Sequence, residues 1–305
     1  MPTPRVIEIN GSGPEDVVVD HQGGIVCGVA DGRLLRVSPD GRRIDTVAQT
    51  GGRPLGIEVL PDERLLVCDA RRGLLRVCPR QGQVDVLVDE VAGQPFRFCN
   101  NAAVATDGTV YFSDSSQRFG LEHWVADILE HSGTGRLMRR DPTGNVEVLL
   151  TGLQFANGVA LAPDESFVVV AESGAHRLTR LWLTGPRAGT TEVLADNLPG
   201  FPDNVSTGTD GLIWVALASP RSAILDRLCA LRPVFRQALW ALPAALQRID
   251  RRTVWVIALD VNGQVVHDLQ NSAPNYHMVT GVREHHGLIY LGSLEERAIA
   301  VIETR

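Results

Sequence analysis

Short apolar runs separated by turn residues recur along the whole chain. A typical copy has an apolar strand, a turn, a second strand such as residues 64–68 (RLLVC), and two further strands. The turns between them, among them PDG, TDG, PTG and VNG, favour hairpins between antiparallel strands. Repeats of about 40 residues with four short strands each are typical of a β-propeller.

The repeat predicts an all-β fold, a six-bladed β-propeller with four-stranded blades, as a single domain over residues 1–305. The last copy has only about three strands before Arg305, whereas a strand at residues 5–9 precedes the first copy. We therefore expect the N-terminal strand to complete the last blade, which removes free sheet edges. A two-sheet sandwich is the structural alternative, but it would not explain the repeat period.

Two segments interrupt the repeat and predict short helical insertions over one face of the propeller. Residues 117–134 have weak helical spacing at Leu121, Trp124 and Ile128. Residues 219–252 form a larger insertion.

The larger insertion resembles two short helices, at residues 223–231 and 234–242, separated by Pro233 and ended by Pro243. We favour a lid over the propeller face. A contact with a membrane surface or with a second copy is the alternative, because amphipathic basic helices serve both roles.

Composition narrows the class of protein. The chain has 305 residues, of which 44% are hydrophobic and 21% charged, as in soluble globular proteins with a large core. The net charge of −7 argues against a nucleic-acid partner. No apolar signal segment or membrane span is present, and the five scattered cysteines lack metal-site spacing, so we expect a cytoplasmic protein with reduced thiols. Cys68 and Cys78 could lie on adjacent strands.

One polar pair follows a stretch rich in proline and glycine. Pro199, Gly200 and Pro202 prevent a helix at residues 197–206 and predict a tight turn before a strand at residues 211–217. Taken alone, Asp203 and Asn204 in this stretch are ordinary turn residues.

Similar polar residues stand at the start of the innermost strand in three other copies. These strands line the central channel of a propeller, so equivalent positions converge at one face. The carboxyl and amide oxygens suit a hard divalent cation, Ca²⁺ above all, whereas zinc would need His or Cys. A turn role explains any one of these residues, but a metal site explains them together: Glu15, Asn100, Asn157, Asp203 and Asn204.

The long match that carries a family resemblance lies in copies four and five. Residues 153–164 (LQFANGVALAPD), 177–189 (RLTRLWLTGPRAG) and 197–204 (NLPGFPDN) resemble the strictosidine synthase-like proteins. These belong with the gluconolactonase (senescence marker protein 30) and paraoxonase groups of six-bladed propellers. The resemblance covers nearly the whole chain.

The resemblance implies a calcium-type metal near the channel in the hydrolytic members. Its ligands would be Glu15, Asn100, Asn157 and Asp203, and the paraoxonase pattern adds Asn204. The same residues were selected above because they occupy equivalent positions in the repeated copies.

Three positions depart from the family patterns. Asn101 stands where relatives often have the Asp that helps to hold a second, structural calcium, which disfavours such a site here. Leu55 replaces the catalytic His of paraoxonases. Residues 276–282 lack the Glu of strictosidine synthase itself, which disfavours its condensation reaction.

These residues together predict a Ca²⁺-dependent hydrolase that acts on a small-molecule lactone or ester. The metal, or another divalent cation, would polarise the carbonyl group, and water would attack with Asp203 as general base, or with His277 in its place. A metal-stabilised binding scaffold without turnover is the alternative from another class. A condensing enzyme of the strictosidine synthase type is a third.

Overall fold

The computed structural model describes residues 3–221, 252–272 and 275–303. Its strands form six four-stranded antiparallel sheets and one two-stranded hairpin, β10 (Glu90–Val91) with β11 (Gln94–Pro95). The predicted six-bladed β-propeller is therefore confirmed, with the strands of each blade joined in chain order from the channel outwards in blades 1 to 5.

Each blade begins with an innermost strand beside the channel. In blade order these are β2 (Val17–Val19), β6 (Pro54–Val59), β12 (Cys99–Val104), β16 (Ala156–Leu161), β20 (Gly200–Thr207) and β24 (Val279–His285). The second strands are β3 (Ile25–Gly28), β7 (Leu65–Asp69), β13 (Val110–Asp114), β17 (Phe167–Glu172), β21 (Ile213–Pro220) and β25 (Leu288–Ser293).

Two further strands complete each blade towards the outside. The third strands are β4 (Arg33–Val37), β8 (Gly73–Cys78), β14 (Gly135–Arg140), β18 (Arg177–Trp182), β22 (Val254–Leu259) and β26 (Ala298–Glu303). The outer strands are β5 (Ile44–Gln49), β9 (Gln83–Val88), β15 (Val146–Leu153), β19 (Thr191–Ala195), β23 (Val265–Asn271) and β1 (Arg5–Glu8).

The N-terminal strand closes the ring, as predicted. β1 pairs antiparallel with β26, with Arg5 opposite Val301 and Glu8 opposite Ala298. The sixth sheet is thus built from both ends of the described chain, so separating the first blade from the sixth would require breaking this ladder.

An apolar cluster fills every interface between neighbouring blades, which gives six clusters around the ring. Strands that face two such interfaces are apolar on both sides and do not alternate. β17, with the sequence FVVVAE, is buried along its whole length for this reason.

The expectation of a tight turn over residues 197–206 was wrong. Most of this stretch is β20, the innermost strand of blade 5, and Asp203 and Asn204 lie within it. Pro202 is tolerated because an innermost strand has a neighbour on one side only and because the pairing register is irregular at this residue.

The shorter insertion contains the expected helix. A 3₁₀ turn (Leu121–His123) leads into α1 (Trp124–Glu130), and two other 3₁₀ turns occupy Ser173–Ala175 and Gly185–Arg187. α1 lies over one face, where Leu121, Trp124 and Ile128 pack at the ends of innermost strands.

The two helices predicted at residues 223–231 and 234–242 lie outside the described residues, and with them most of the expected lid over residues 219–252. In the part of the chain that is described, no helix has the length and apolar character needed to cross a membrane.

The four described cysteines are free. Cys68 and Cys78 do lie on adjacent strands, but at opposite ends of the pair, because Cys68 is opposite Leu74 while Cys78 is opposite Gln83 on the next strand. Cys68 instead shares an apolar cluster with Cys99 of blade 3.

Candidate metal centre

The innermost strands of blades 2 to 6 share a break in pairing near their first residues. In β12 the pairing passes from Cys99 opposite Asp114 directly to Ala102, and in β16 it passes from Ala156 to Val159. The same break occurs in β6, β20 and β24. Bulges of this kind redirect side chains and are common beside active sites.

The break releases two residues in each strand, and the first of the two defines a ring around one end of the channel. Glu15 is the counterpart in blade 1, because Gly281 approaches Glu15 and Asp16 as Gly56 approaches Asn100 and Asn101. The ring in blade order is Glu15, Leu55, Asn100, Asn157, Asp203 and Thr280. Four of its six members are residues that the sequence selects as metal ligands.

Four buried oxygens at this ring have no hydrogen-bond partner among the described residues. They are Oε2 of Glu15 and the Oδ1 atoms of Asn100, Asn157 and Asn204. A buried polar atom left unpaired costs about 1–3 kcal/mol, so four at one place indicate an absent partner. Four oxygens and the Asp203 carboxylate form a donor set that fits a hard cation such as Ca²⁺.

Two serines fix the orientation of the ring amides. Asn100 donates Nδ2 to Ser115 Oγ at 2.8 Å, and Asn157 donates Nδ2 to Ser173 Oγ at 3.1 Å. The Ser173 hydroxyl donates its own hydrogen to the carbonyl oxygen of Pro202 at 2.5 Å, so it accepts from the amide. The amide oxygens are therefore the atoms left for a ligand.

Sequence reasoning missed both serines. Each serine directly follows the acidic residue that ends the second strand of its blade, which is Asp114 in blade 3 and Glu172 in blade 4. Each of these acidic side chains accepts a hydrogen bond from a backbone N–H group just before the innermost strand of the same blade. This repeated acid–serine pair was the available signal.

The second released residue follows an alternating rule. In blades 2, 4 and 6 this residue is glycine, because a Cβ atom at that position would collide with the neighbouring blade. A Cβ atom added to Gly158, for example, would lie 2.2 Å from Val205 N. In blades 1 and 3 it ties blades together, because Asp16 Oδ2 accepts from Ile57 N at 3.0 Å and Asn101 Oδ1 accepts from Val159 N at 2.9 Å.

Asn204 of blade 5 departs from this rule. Its Nδ2 donates to Glu15 Oε1 at 3.1 Å, and its Oδ1 stays unpartnered. Departures from a local rule are expected at functional sites, and this one brings a fifth oxygen to the ring.

The carboxyl groups of the ring lie in an environment that opposes their ionisation. Burial, with Asp203 and Asp16 nearby, raises the pKa of Glu15 well above its usual range, although Arg53 opposes the shift. Burial also raises the pKa of Asp203 to about 7 and that of Asp16 to about 6. A bound cation would reverse this preference, because it favours the ionised carboxylates.

His277 makes its hydrogen bonds outside the ring. Its Nδ1 faces Glu296 and its Nε2 lies 3.1 Å from Glu295 Oε2, both on the connection between β25 and β26. Both imidazole nitrogens of His277 therefore face glutamate carboxylates and not the ring around the channel. The structure thus brings together Glu15, Asn100, Asn157, Asp203 and Asn204, while His277 is engaged by two glutamates.

Within the described residues, no three His, Cys, Asp or Glu side chains form a group that could hold a metal. The ring is of another type, since two carboxylates and three amides supply its oxygens.

Comparisons with known proteins agree with this architecture. A sequence model of the strictosidine synthase family matches residues 100–186, and one of the N-terminal part of strictosidine synthase-like proteins matches residues 5–37. Strictosidine synthase-like protein 10 of Arabidopsis thaliana is 35% identical over 326 residues, which cover 96% of this chain and 86% of the relative. The chain belongs to the strictosidine synthase-like family.

Other relatives of this strictosidine synthase-like chain extend the comparison. The adipocyte plasma membrane-associated protein of Rattus norvegicus is 33% identical over 317 residues, covering 95% of this chain and 82% of that protein. A gluconolactonase from Xanthomonas campestris superposes with a TM-score of 0.71 at 17% identity, over 99% and 90% of the two chains. Regucalcin, a calcium-binding protein of Agrobacterium tumefaciens, superposes with a TM-score of 0.68 at 14% identity. The match covers 98% of this chain and 93% of regucalcin. At these identities the two structures establish the shared fold.

Proposed function

We propose that this strictosidine synthase-like chain is a Ca²⁺-dependent hydrolase of lactones or esters. The observation that carries the proposal is the set of unpartnered buried oxygens of Glu15, Asn100, Asn157 and Asn204 beside the Asp203 carboxylate. The solved propellers of the same fold include a gluconolactonase and a calcium-binding protein, which supports a lactonase-type hydrolase in general.

The five side chains would hold the cation, and Ca²⁺ in such a place supplies a Lewis acid for a substrate carbonyl group. Asn100 and Asn157 contribute neutral oxygens whose directions Ser115 and Ser173 fix. Because the amides carry no charge, the set holds only two carboxylates, which suits a divalent ion without leaving an excess of negative charge.

Asp203 is the ring carboxylate that remains partly accessible, whereas Glu15 is 4% exposed. Its position on β20 allows one oxygen to serve as a ligand while the other accepts a proton from an attacking water. Because a bound cation lowers the pKa of a carboxyl group, the oxygen that accepts the proton would be the one that does not contact the metal. His277 would first have to leave Glu295 or Glu296 to take this role.

The proposal is tested by hydrolysis of γ- and δ-lactones and aryl esters, before and after metal removal by chelation and again after Ca²⁺ is restored. We expect activity that falls on chelation and returns with Ca²⁺. Activity that survives thorough metal removal would overturn the mechanism. Asp203→Asn should abolish turnover, and retained activity would remove Asp203 as the base while leaving it as a ligand.

The same assay separates the alternatives. A rise in melting temperature with Ca²⁺, without hydrolysis of any compound in the panel, would favour a metal-stabilised scaffold. The condensation chemistry of strictosidine synthase stays disfavoured, because blade 6 has Thr280 at its ring position and its hydroxyl donates to the Glu15 carbonyl oxygen at 2.7 Å.

A further inference from the structure

Leu55 is the apolar member of the ring. It occupies in blade 2 the position that Asn100 and Asn157 occupy in blades 3 and 4, as the matching breaks in strand pairing show. Its neighbour Gly56 lies against Asn100 and Asn101, so Leu55 is adjacent to the ligand of the next blade. One side of the ring therefore presents a hydrocarbon surface where the others present oxygens.

Leu55 belongs to an apolar cluster, the roof cluster, that lies at the ring end of the channel. Its buried members are Leu55, Ala70, Phe98 and Phe155, and its half-buried members are Leu121, Trp124 and Ile128. Phe98 and Phe155 each precede a ring asparagine by two residues, and their rings meet edge to face with centroids 5.4 Å apart. The roof cluster thus lies beside Asn100 and Asn157, the proposed ligands of blades 3 and 4.

Several polar groups on the same side of the ring already have partners, although Oδ2 of Asp69, Oδ1 of Asp127 and Oε1 of Gln154 do not. Ser115 and Ser173 accept from the ring amides, and Ser116 Oγ accepts from the backbone of Arg118 and Phe119. A polyhydroxylated substrate would need hydrogen-bond partners for each hydroxyl group that it buried, and the apolar side chains of the roof cluster do not supply them.

On the basis of the proposed hydrolase function, we propose that the substrate is an apolar lactone or ester. Its alkyl or aryl group lies against the roof cluster, with Leu55 beside the reacting carbonyl group, and a sugar lactone is disfavoured. Leu55, Phe98 and Trp124 are the specificity-determining residues. The blade 2 to 4 side of the ring selects the substrate by hydrophobic burial, while Glu15, Asn100, Asn157, Asp203 and Asn204 of blades 1, 3, 4 and 5 supply oxygens.

The first test compares kcat/KM for γ-lactones that carry alkyl chains of increasing length with that for a glucono-δ-lactone. Each methylene group buried on the cluster should raise kcat/KM about two- to fourfold. A flat dependence on chain length, or faster hydrolysis of the sugar lactone, would overturn the inference while leaving the hydrolase function intact.

A binding measurement separates this inference from the proposed function. γ-Lactams with the same alkyl chains resist hydrolysis, so their binding can be followed by thermal shift or calorimetry. Affinity that rises with chain length supports the apolar site even if no lactone in the panel is hydrolysed, in which case the hydrolase function alone fails. Affinity that does not depend on chain length contradicts the inference.

Two variants assign the effect to the cluster. Leu55→Ala and Trp124→Ala should weaken the dependence on chain length in both measurements. Val148→Ala, at a 38%-exposed position on the outer strand β15, is the matched control and should leave the dependence unchanged. If kcat/KM and affinity depended on chain length to the same extent in all three variants, the assignment to the cluster would be wrong.

Discussion

The side-chain amide of Asn204 donates a hydrogen bond to Glu15 Oε1 at 3.1 Å, between residues 189 positions apart in the chain. This bond joins the fifth blade to the first across one end of the channel. Asp16 and Asn101, which occupy the equivalent positions in blades 1 and 3, bond to backbone N–H groups instead. Asn204 is therefore the member of this set whose side chain bonds to a ring carboxylate and not to a backbone N–H group.

Replacing Asn204 should separate the two roles. Asn204→Ala removes one proposed ligand oxygen and should greatly reduce the rise in melting temperature that Ca²⁺ causes. Asn101→Ala is the matched control, because it removes a bond between blades. It should lower the free energy of unfolding by about 1–3 kcal/mol and keep the Ca²⁺ effect. Thermal denaturation with Ca²⁺ and with chelator measures both, and an unchanged Ca²⁺ effect in Asn204→Ala would contradict its role as a ligand.

The serine that orients Asn157 should matter for affinity more than for folding. Ser173→Ala frees the amide to rotate, and loss of such an orienting partner typically weakens metal binding about 10–100-fold. Ser113→Ala is the control, since Ser113 donates to the Asn157 carbonyl oxygen at 2.6 Å and not to its side chain. Calorimetric titration with Ca²⁺ should show a weaker Kd for the first variant, and equal affinities in the two variants would count against the orienting role.

Most of the fold could be predicted from the sequence because the signals that define blades are local. Turn pairs such as Asp107–Gly108 and buried runs such as β17 predict hairpins without knowledge of their neighbours. The closing strand β1 followed from counting strands. By contrast, β20 was predicted to be a turn, because a proline such as Pro202 is tolerated only in a strand with one paired edge.

Most of the candidate site was also predictable, since the repeat period places Glu15, Asn100, Asn157 and Asp203 in phase. What could not be predicted from the sequence were the contacts of individual side chains between different strands and loops. The serine partners of the amides, the cluster around Leu55 and the two glutamates around His277 all depend on packing between segments that are distant in the chain. The repeated acid–serine pair marks the two serines, but no repeated pattern marks the cluster or the glutamates.

The channel contains a second charged group that bears on the number of metal ions. Arg283 of blade 6 donates to Glu58 Oε1 of blade 2 at 2.6 Å and interacts with Asp16. An internal guanidinium between these carboxylates leaves little attraction for a second cation. We predict that calorimetry and metal analysis give one tightly bound divalent ion per chain, and two equivalent ions would contradict this account.

Replacing Arg283 should lower the free energy of unfolding. Arg283→Gln leaves two carboxylates in the channel without their partner, so we expect a loss of about 3–5 kcal/mol in the free energy of unfolding, measured by urea denaturation. Arg76→Gln is the control, because its ion pair with Asp85 is partly exposed and should contribute at most about 1 kcal/mol. Similar losses in both variants would show that Arg283 does not act as the channel cation.

The raised carboxyl pKa values predict the pH dependence of the metal-free protein. Asp203 and Asp16 hold protons in the folded state up to about pH 7 and about pH 6, whereas unfolded they ionise near pH 4. The native state thus binds more protons, and these two groups make stability fall as pH rises from about 4 to 7. Glu192, with a pKa lowered to about 2 by its hydrogen bonds with Trp182 and Arg187, acts below that window, where its stabilisation is lost as pH falls.

Urea midpoints at pH 5 and pH 8 measure this effect. After chelation the midpoint should be higher at pH 5, and Asp203→Asn should reduce the difference. His285, whose pKa burial lowers, contributes in the opposite direction and serves as a check through His285→Gln. Saturating Ca²⁺ should raise the midpoint more at pH 8 than at pH 5, because the ionised ring binds the cation. A Ca²⁺ effect that is larger at pH 5 would contradict the proposed ligands.

The most direct test is a crystal structure of the protein soaked with Ca²⁺. The account predicts one ion at the ring end of the channel, about 2.3–2.6 Å from oxygens of Glu15, Asn100, Asn157, Asp203 and Asn204. An ion bound elsewhere, or a ring whose amide and carboxyl oxygens bond only to one another and to water at saturating Ca²⁺, would contradict it.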